Sequence, residues 1–495
     1  MGRAGRGEGV YNVVVIGGGT AGLVTAAGTA ALGGRVALVE RHRMGGDCLN
    51  YGCVPSKALI ASARAAARMR HAGLQALDPV DVAVDYGRVV RRLKALRARI
   101  EPHDSAARFE GLGVDVFFGQ AALESPHAVA VGGAVLRARH IVLATGGRAA
   151  IPDVPGLQEA GFLTNETVFE REEPPGRLLV MGGGPIGCEL AQAMARLGAR
   201  VTLIDRGGQL LHREDPDVAA LVQAGLEADG VGVLLRARVE SIAQGRDGAH
   251  RARVRQDGGD PGSATSRDVE ADTILVAAGR RPNIEGLGLE KAGVAMTRKG
   301  VTVDDFLRTT RRNIFAAGDV CGPYQFTHFA EYQARLIVRN ILLSPLGGLG
   351  KAKADYRVVP WTTFTEPEVA RVGVNETDAA RAGIPCDVHR FPYSQLDRAI
   401  LESDETGFAK VITTKGKDTL LGATVVGAGA GEVIHELVLA MRERIGLSRL
   451  SSMIHVYPTF SQALQRGADA FMRTRLTPGA RALFSRLYAW QRRSP

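Results

Sequence analysis

Two stretches of this chain follow one plan, and that repetition limits the folds open to it more than any other feature. Residues 10–16, VYNVVVI, form a short apolar run rich in β-branched residues, the pattern of a buried parallel strand. Gly17-Gly18-Gly19-Thr20-Ala21-Gly22 comes next, then an alanine-rich helical stretch, then an apolar strand at 36–39 that runs into Glu40. The plan returns with a strand at 178–181, glycines at Gly182, Gly184 and Gly187, a strand at 201–204 and then Asp205. From first glycine to acid the step is 23 residues in both copies, Gly17 to Glu40 and Gly182 to Asp205. The first glycine permits a tight turn, the second lets backbone approach a pyrophosphate, and the third lets helix pack on strand. The helix that follows offers free N–H groups and a positive dipole end to the phosphates, while the acid accepts from ribose hydroxyls. Two dinucleotide sites in one chain point to electron transfer between a fixed flavin and an exchangeable nicotinamide.

A length of 495 residues allows about three domains, each with a proper core. The formal charge of +10 is spread thinly over a long arginine-rich chain, so it reads as solubility rather than as a nucleic-acid footprint. Five cysteines make no disulfide framework, and their odd number argues against secretion. The first nine residues, MGRAGRGEG, lack the apolar core of a signal peptide. The alanine-rich stretch 21–31 is broken by Gly22 and Gly28 and falls well short of the roughly 20 apolar residues that span a bilayer. A cytoplasmic location is expected.

Against that background the segment GGDCLNYGCVPSK at 45–57 stands out. Cys48 and Cys53, five residues apart among glycines, could make a structural staple, a metal site, or a bond broken and remade in each turnover.

The wider sequence resembles the FAD-dependent pyridine nucleotide–disulfide oxidoreductases, the group of dihydrolipoamide dehydrogenase, glutathione reductase and mercuric reductase. The resemblance runs from about residue 10 to about residue 475 and is carried by GGDCLNYGCVPSK, by Ala144-Thr145-Gly146, by AAGRRPN at 277–283, by AAGDV at 316–320 and by YPTFSQ near the C-terminus. It implies an α/β fold with two Rossmann-like dinucleotide-binding domains, for FAD and for NAD(P), plus an α+β C-terminal dimerisation domain. The expected layout is a first FAD segment at 1–150, the NAD(P) domain at 151–281, a return segment at 282–350, an interface domain at 351–475 and a basic amphipathic tail at 476–495. By the same resemblance FAD is held by Gly17, Gly19, Gly22, Glu40, Gly46, Thr145 and Gly146, with Asp319 accepting from its ribityl chain. Lys57 approaches the flavin and pairs with Glu189. The nicotinamide cofactor falls to Gly182, Gly184, Gly187, Glu189, Asp205 and Gly279, in a homodimer. Asp205 favours NADH over NADPH, because a carboxylate there repels a 2′-phosphate, although Arg206 and Arg213 follow closely.

Positions five apart in a regular helix are separated by roughly 7.5 Å along the axis. Bonded cysteines have Cα atoms about 4.4–6.8 Å apart. Cys48 and Cys53 therefore need irregular backbone to meet, which Gly45, Gly46 and Gly52 supply, and Pro55 suits the first turn of the helix that follows. A helix N-terminus and Lys57 both favour thiolate. The metal reading lacks a second ligand pair, and the staple reading sits poorly in a reducing compartment, so a working disulfide is expected. The resemblance makes Cys53 the thiol beside the flavin and Cys48 the outer thiol that meets substrate. Cys188, Cys321 and Cys386 read as small buried hydrophobes. His435-Glu436 lacks the second histidine of a zinc motif, and no metal site is expected.

The sequence departs from the group in one place. Where disulfide reductases and dihydrolipoamide dehydrogenases carry His-Pro-Thr-x-x-Glu, this chain has Tyr457-Pro458-Thr459-Phe460-Ser461-Gln462. An unperturbed tyrosine has a pKa near ~10 against ~6.5 for histidine, so Tyr457 is a poor base but a usable donor. Dihydrolipoamide oxidation is disfavoured. His455 stands two residues early and is expected to be structural. Tyr-Pro-Thr looks most like mercuric reductase, yet no cysteine follows Cys386 to form the C-terminal pair that delivers mercury.

The leading expectation is an NAD(P)H oxidoreductase that reduces a disulfide or soft-metal acceptor through Cys48–Cys53. The alternatives are direct flavin reduction of quinone or oxygen, a dihydrolipoamide dehydrogenase-like enzyme, and a low-turnover redox sensor. The tail from 477 to 495, capped by Thr477-Pro478, carries Leu483, Phe484, Leu487, Tyr488 and Trp490 with four arginines. Its apolar face is expected on the protein's own dimer, with weak contact to a membrane surface as the other reading.

Overall fold

The sequence VYNVVVI forms strand β1 (Val10–Ile16), and its alternation decides what the strand does. Val13 and Val15 enter one apolar cluster with Leu38, Phe109 and Phe315. Val14 and Ile16 enter another, on the opposite face, with Val39, Leu136 and Leu143. Each such fully buried side chain contributes on the order of 1.5–3 kcal/mol, and a strand buried on both faces has to lie inside a sheet. The computed structural model that shows this describes residues 9–245, 248–258, 263–343 and 349–493.

Helix α1 (Thr20–Ala31) returns the chain from β1 to β2 (Val36–Glu40), which pairs parallel to it with Val13 opposite Val36. On the far side of β1 lies the parallel strand Ala134–Leu143, with Ile314–Ala316 parallel beyond it. The chain thus leaves β1 in opposite directions on its two sides. The carboxyl end of β1 is the switch point at which sheets of this kind bind ligands. The segment after β2 supplies α2 (Gly46–Asn50) and α3 (Cys53–Arg70). The long helix starts at Cys53 and carries Pro55 in its first turn, as the sequence suggests, so Cys53 itself sits in the first turn.

A second parallel sheet repeats the scheme. Strand β3 (Arg177–Met181) is flanked by β4 (Arg200–Ile204) and by Thr273–Val276, and α4 (Pro185–Arg196) makes the crossover. Both sheets belong to one of two compact units, which gathers Met1–Ala67, Val82–Arg206 and Arg236–Asp355. Helix α5 (Thr327–Leu342) packs on α1 in that unit.

The other unit gathers Arg68–Asp81, Gly207–Leu235 and Tyr356–Pro495. Its centre is a five-stranded antiparallel sheet in the order Pro360–Thr363, Val369–Gly373, Leu420–Val426, Phe408–Thr414, Cys386–Pro392. Helices including α6 (Gln462–Thr474) cover it through Leu437, Leu450, Leu464 and Phe471. Lys410, buried in this sheet, holds the 207–235 segment in place. Its Nζ lies 3.2 Å from Asp215, 2.9 Å from Asp217 and 2.6 Å from Glu376. The fold is α/β with two Rossmann-like sheets and an α+β C-terminal part. Among the described residues no helix is long and apolar enough to cross a membrane.

Candidate active site

The first glycine loop is fixed by backbone contacts that leave no room for side chains. Gly17 has φ +112°, and its N–H donates to Val39 O at 2.8 Å. A Cβ on Gly22 would overlap the carbonyl oxygen of Gly17. Gly19 caps α1 in extended conformation. Glu40 accepts from the N–H of Gly18 at 2.6 Å and from that of His42 at 2.7 Å, so its carboxylate is anchored at the mouth of the loop. Gly46, with φ +58°, crosses close over this loop: a Cβ there would stand 2.5 Å from Gly19 Cα. A cradle that a single Cβ would block, at the N-terminus of a helix and beside a buried carboxylate, fits the pyrophosphate and ribose of FAD. Thr145 Oγ1 donates to Asn283 O at 2.7 Å, and Asn283 Nδ2 returns a bond to Thr145 O at 2.9 Å. These bonds fasten Thr145-Gly146 to the AAGRRPN segment.

The second loop matches closely. Gly182 N–H donates to Ile204 O at 2.8 Å, Gly184 caps α4, and Asp205 accepts from the N–H of Gly183 at 2.6 Å. Gly187 takes the place of Gly22, and the N–H of Ala150 donates to Gly279 O at 2.9 Å.

Cys48 lies in α2, and Cys53 opens α3 after the break at Tyr51-Gly52. That break answers the spacing problem, since the two cysteines need not share one regular helix. Cys53 Sγ is 3.4 Å from Thr327 Oγ1, which begins α5. The hydrogen bond from Cys48 is the main influence on the Cys53 thiol. With help from Thr327 and Lys57, and against the effect of burial, it lowers that thiol to about 6. Cys48 moves the opposite way, pushed up by the same bond and by burial. Of the two, Cys53 is the thiolate at neutral pH. Four residues along α3, Lys57 Nζ lies 2.7 Å from Glu189 Oε2, whose side chain is nearly buried on α4.

Asp47, next to Cys48 in the chain, belongs to a charge cluster that the sequence did not disclose. Arg280 sits 3.3 Å from Asp47 and 3.2 Å from Asp319, tying the redox segment to the AAGDV turn. Asn165 Nδ2 also donates to Asp47, at 3.1 Å. Burial pushes the Asp319 carboxyl up, and Arg280 opposes that shift. Asp47 follows directly on the glycines and Arg280 lies inside a quoted motif. The signals were present, but their partnership across more than two hundred residues leaves no mark in the sequence. Thr327 was missed as well. Its only trace is a hydroxyl residue at the start of an apolar helical pattern.

Tyr457 belongs to the other unit. It is exposed, and its hydroxyl donates to Asp397 at 2.9 Å, a bond that raises its pKa and keeps it protonated. His455 is nearly buried, with Nε2 at 3.1 Å from Glu436 Oε1. Gln462 is buried at the start of α6. Cys188 is fully buried beneath the second glycine loop and donates to Gly183 O at 3.3 Å. Burial pushes Cys321 up to about 12, and Cys386 is half-buried in its strand.

Two glycine-loop sheets, a cysteine pair straddling the start of a long helix and an antiparallel C-terminal sheet define a flavoprotein disulfide oxidoreductase. Residues 11–334 match the family described as pyridine nucleotide-disulphide oxidoreductase, and residues 359–468 match its dimerisation domain. The chain belongs to this family of enzymes, whose members use FAD and NAD(P)H, and the dimerisation domain fits a homodimer. It is 35% identical to a dihydrolipoyl dehydrogenase of Chlamydia muridarum over 92% of this chain and 96% of that protein. It is 31% identical to a mercuric reductase of Staphylococcus aureus over 94% of this chain and 83% of that protein. Among solved structures, the Cu(II) complex of the HOCl-induced flavoprotein disulfide reductase RclA from Escherichia coli superposes with a TM-score of 0.81. That match has 29% identity and covers 93% of this chain and 99% of the other.

Proposed function

We propose that this enzyme carries two electrons from NADH or NADPH to a soft acceptor, a small disulfide or a thiophilic metal ion, through Cys48 and Cys53. The observation that carries the reading is the position of Cys53. It opens α3, its thiol is lowered to about 6, and Lys57 stands one turn further along against Glu189. FAD, when bound, would supply the disulfide with two electrons drawn from the nicotinamide. The residues that would hold it are Gly17, Gly19, Gly22, Gly46, Glu40, Thr145, Gly146 and Asp319. The second loop and Asp205 would hold the nicotinamide nucleotide, with NADH preferred.

Two electrons and one proton convert the Cys48–Cys53 disulfide into a Cys53 thiolate and a Cys48 thiol. Cys48 then attacks an acceptor disulfide, and its proton passes to the thiolate that is displaced. Cys53 displaces the second, and the internal disulfide re-forms. Tyr457, its hydroxyl donated to Asp397 and its pKa raised by that bond, is a poor base for an incoming thiol. Dihydrolipoamide oxidation is therefore disfavoured, although that activity names one of the relatives. The soft-metal form of the reading draws support from the mercuric reductases among the relatives and from the Cu(II) named for the E. coli enzyme.

Cys48→Ser is the test. Under anaerobic titration with NADH, flavin reduction stays within about twofold of the parent, while acceptor reduction falls by about a hundredfold or more. A variant that reduces the acceptor as well as the parent would mean that electrons leave the flavin directly, to quinone or oxygen.

A further inference from the structure

Helix α7 (Pro478–Gln491) stands outside everything the redox chemistry uses. It lies beyond residue 468, where the match to the dimerisation domain ends. The sequence starts it firmly: Thr477 Oγ1 accepts from the N–H of Ala480 at 3.2 Å, and Pro478 occupies the first turn. None of its residues is buried, and Leu483, Phe484, Leu487, Tyr488 and Trp490 are between 48% and 66% exposed.

At 3.6 residues per turn these five side chains share one arc of about 160°, running from Trp490 through Leu483, Leu487 and Phe484 to Tyr488. Within the helix Arg486 borders the arc on one side and Arg481 on the other, and Arg492 and Arg493 follow directly at its C-terminal end. Residues 477–493 contain no Asp or Glu. An apolar stripe with a basic border on both sides and no acid is the charge pattern that complements an anionic lipid surface. Tryptophan and tyrosine at the ends of the stripe suit the headgroup level. A second copy is a poorer occupant. A two-fold contact between these helices would bring the arginine borders of each against those of the other. Spanning is excluded by length, since 14 residues of helix reach only about 21 Å.

We propose that α7 lies in the surface of an anionic membrane, with its apolar arc among the acyl chains and Arg481, Arg486, Arg492 and Arg493, the last two just past its end, against lipid phosphates. The oxidoreductase body is thereby held at a lipid surface without entering it. This inference does not depend on the identity of the electron acceptor.

The test uses the FAD-loaded full chain with phosphatidylcholine vesicles, with or without about 30% phosphatidylglycerol, by flotation at low salt and at about 0.5 M NaCl. The protein is expected to float with the anionic vesicles at least about tenfold better than with the neutral ones, and high salt removes most of the difference. The quadruple variant R481Q/R486Q/R492Q/R493Q and the single variant Leu487→Asp each weaken flotation by about tenfold. Both keep the parent's NADH oxidation and dimer mass. Equal flotation with neutral and anionic vesicles, or none at low salt, overturns the proposal. A chain that does not float, and loses its dimer mass when 477–495 is deleted, assigns the apolar face to the second copy and also overturns it.

Discussion

The two glycine loops are nearly the same object built twice. Gly17 and Gly182 have φ +112° and +118°, and each donates its N–H to a strand carbonyl at 2.8 Å. Each acid accepts from the middle glycine at 2.6 Å. What differs is the space above them. The N–H of Gly45 donates to Gly18 O at 2.9 Å, and Gly46 brings backbone against Gly19, so the first loop is roofed by the segment that leads to Cys48. A Cβ on Gly184 would meet nothing within 4 Å, and the neighbouring Ile186 is exposed. One cradle is closed by the redox segment and the other stands open. On the function proposed above, that is the difference between a cofactor that stays and one that leaves after each turnover.

The largest effect that tests this contrast comes from placing one methyl group in each loop. Gly46→Ala drives a side chain into the Gly19 backbone at a left-handed φ, and flavin retention is expected to fall by about tenfold or more. The FAD absorbance per polypeptide after gel filtration measures it. Gly184→Ala meets no protein atom, so flavin content and melting temperature stay at parental values while KM for NADH rises about tenfold. Loss of flavin from Gly184→Ala would erase the distinction.

A smaller effect is expected at the acids. Asp205→Ser removes a carboxylate from the end of β4 and should shift the ratio of kcat/KM for NADH over NADPH toward NADPH by about tenfold. Glu40→Gln in the closed loop should leave that ratio unchanged. An unchanged ratio in Asp205→Ser would sink the assignment of the second loop to nicotinamide.

The smallest effect concerns the residue that joins the two halves. The Cys53 thiol is lowered, so its charged form is present above about 6 and is lost as pH falls through that value. A thiolate beside a flavin is expected to give a long-wavelength charge-transfer absorbance, which in the two-electron-reduced enzyme should be half-lost near pH 6, full by pH 8 and missing from Cys53→Ser. Lys57→Met moves the midpoint up by about half a unit to one unit, because Lys57 is a lesser influence on the thiol than Cys48. A midpoint above 8 in the parent would contradict the assigned thiolate.

These contrasts show which parts of the molecule a sequence discloses. The strands, glycines and acids of both loops were readable because each loop lies within one continuous run of about thirty residues and obeys hard steric limits. The irregular backbone around the cysteine pair was readable from spacing and glycines, and Pro55 stands in the first turn of α3 as expected. The roof over the first loop was hidden, because it depends on Gly46 meeting Gly19 through the fold. The cluster of Asp47, Arg280 and Asp319 was hidden for the same reason. His455 and Glu436 were considered separately, one as structural and the other as a failed zinc motif. The fold joins them as a single pair.

Lys57 stands at the meeting of two modules: its ammonium acts on the Cys53 thiol and is bound to Glu189 on the helix of the second glycine loop. One cation shared in this way makes the modules answer to each other. A nucleotide that draws Glu189 toward or away from Lys57 changes how strongly Cys53 holds its proton. By thermodynamic reciprocity, the charge on Cys53 must change the grip on that nucleotide by the same factor. On the function proposed above, a two-way exchange of this kind would give the oxidised and dithiol forms different affinities for the same coenzyme without requiring contact between sulfur and nucleotide.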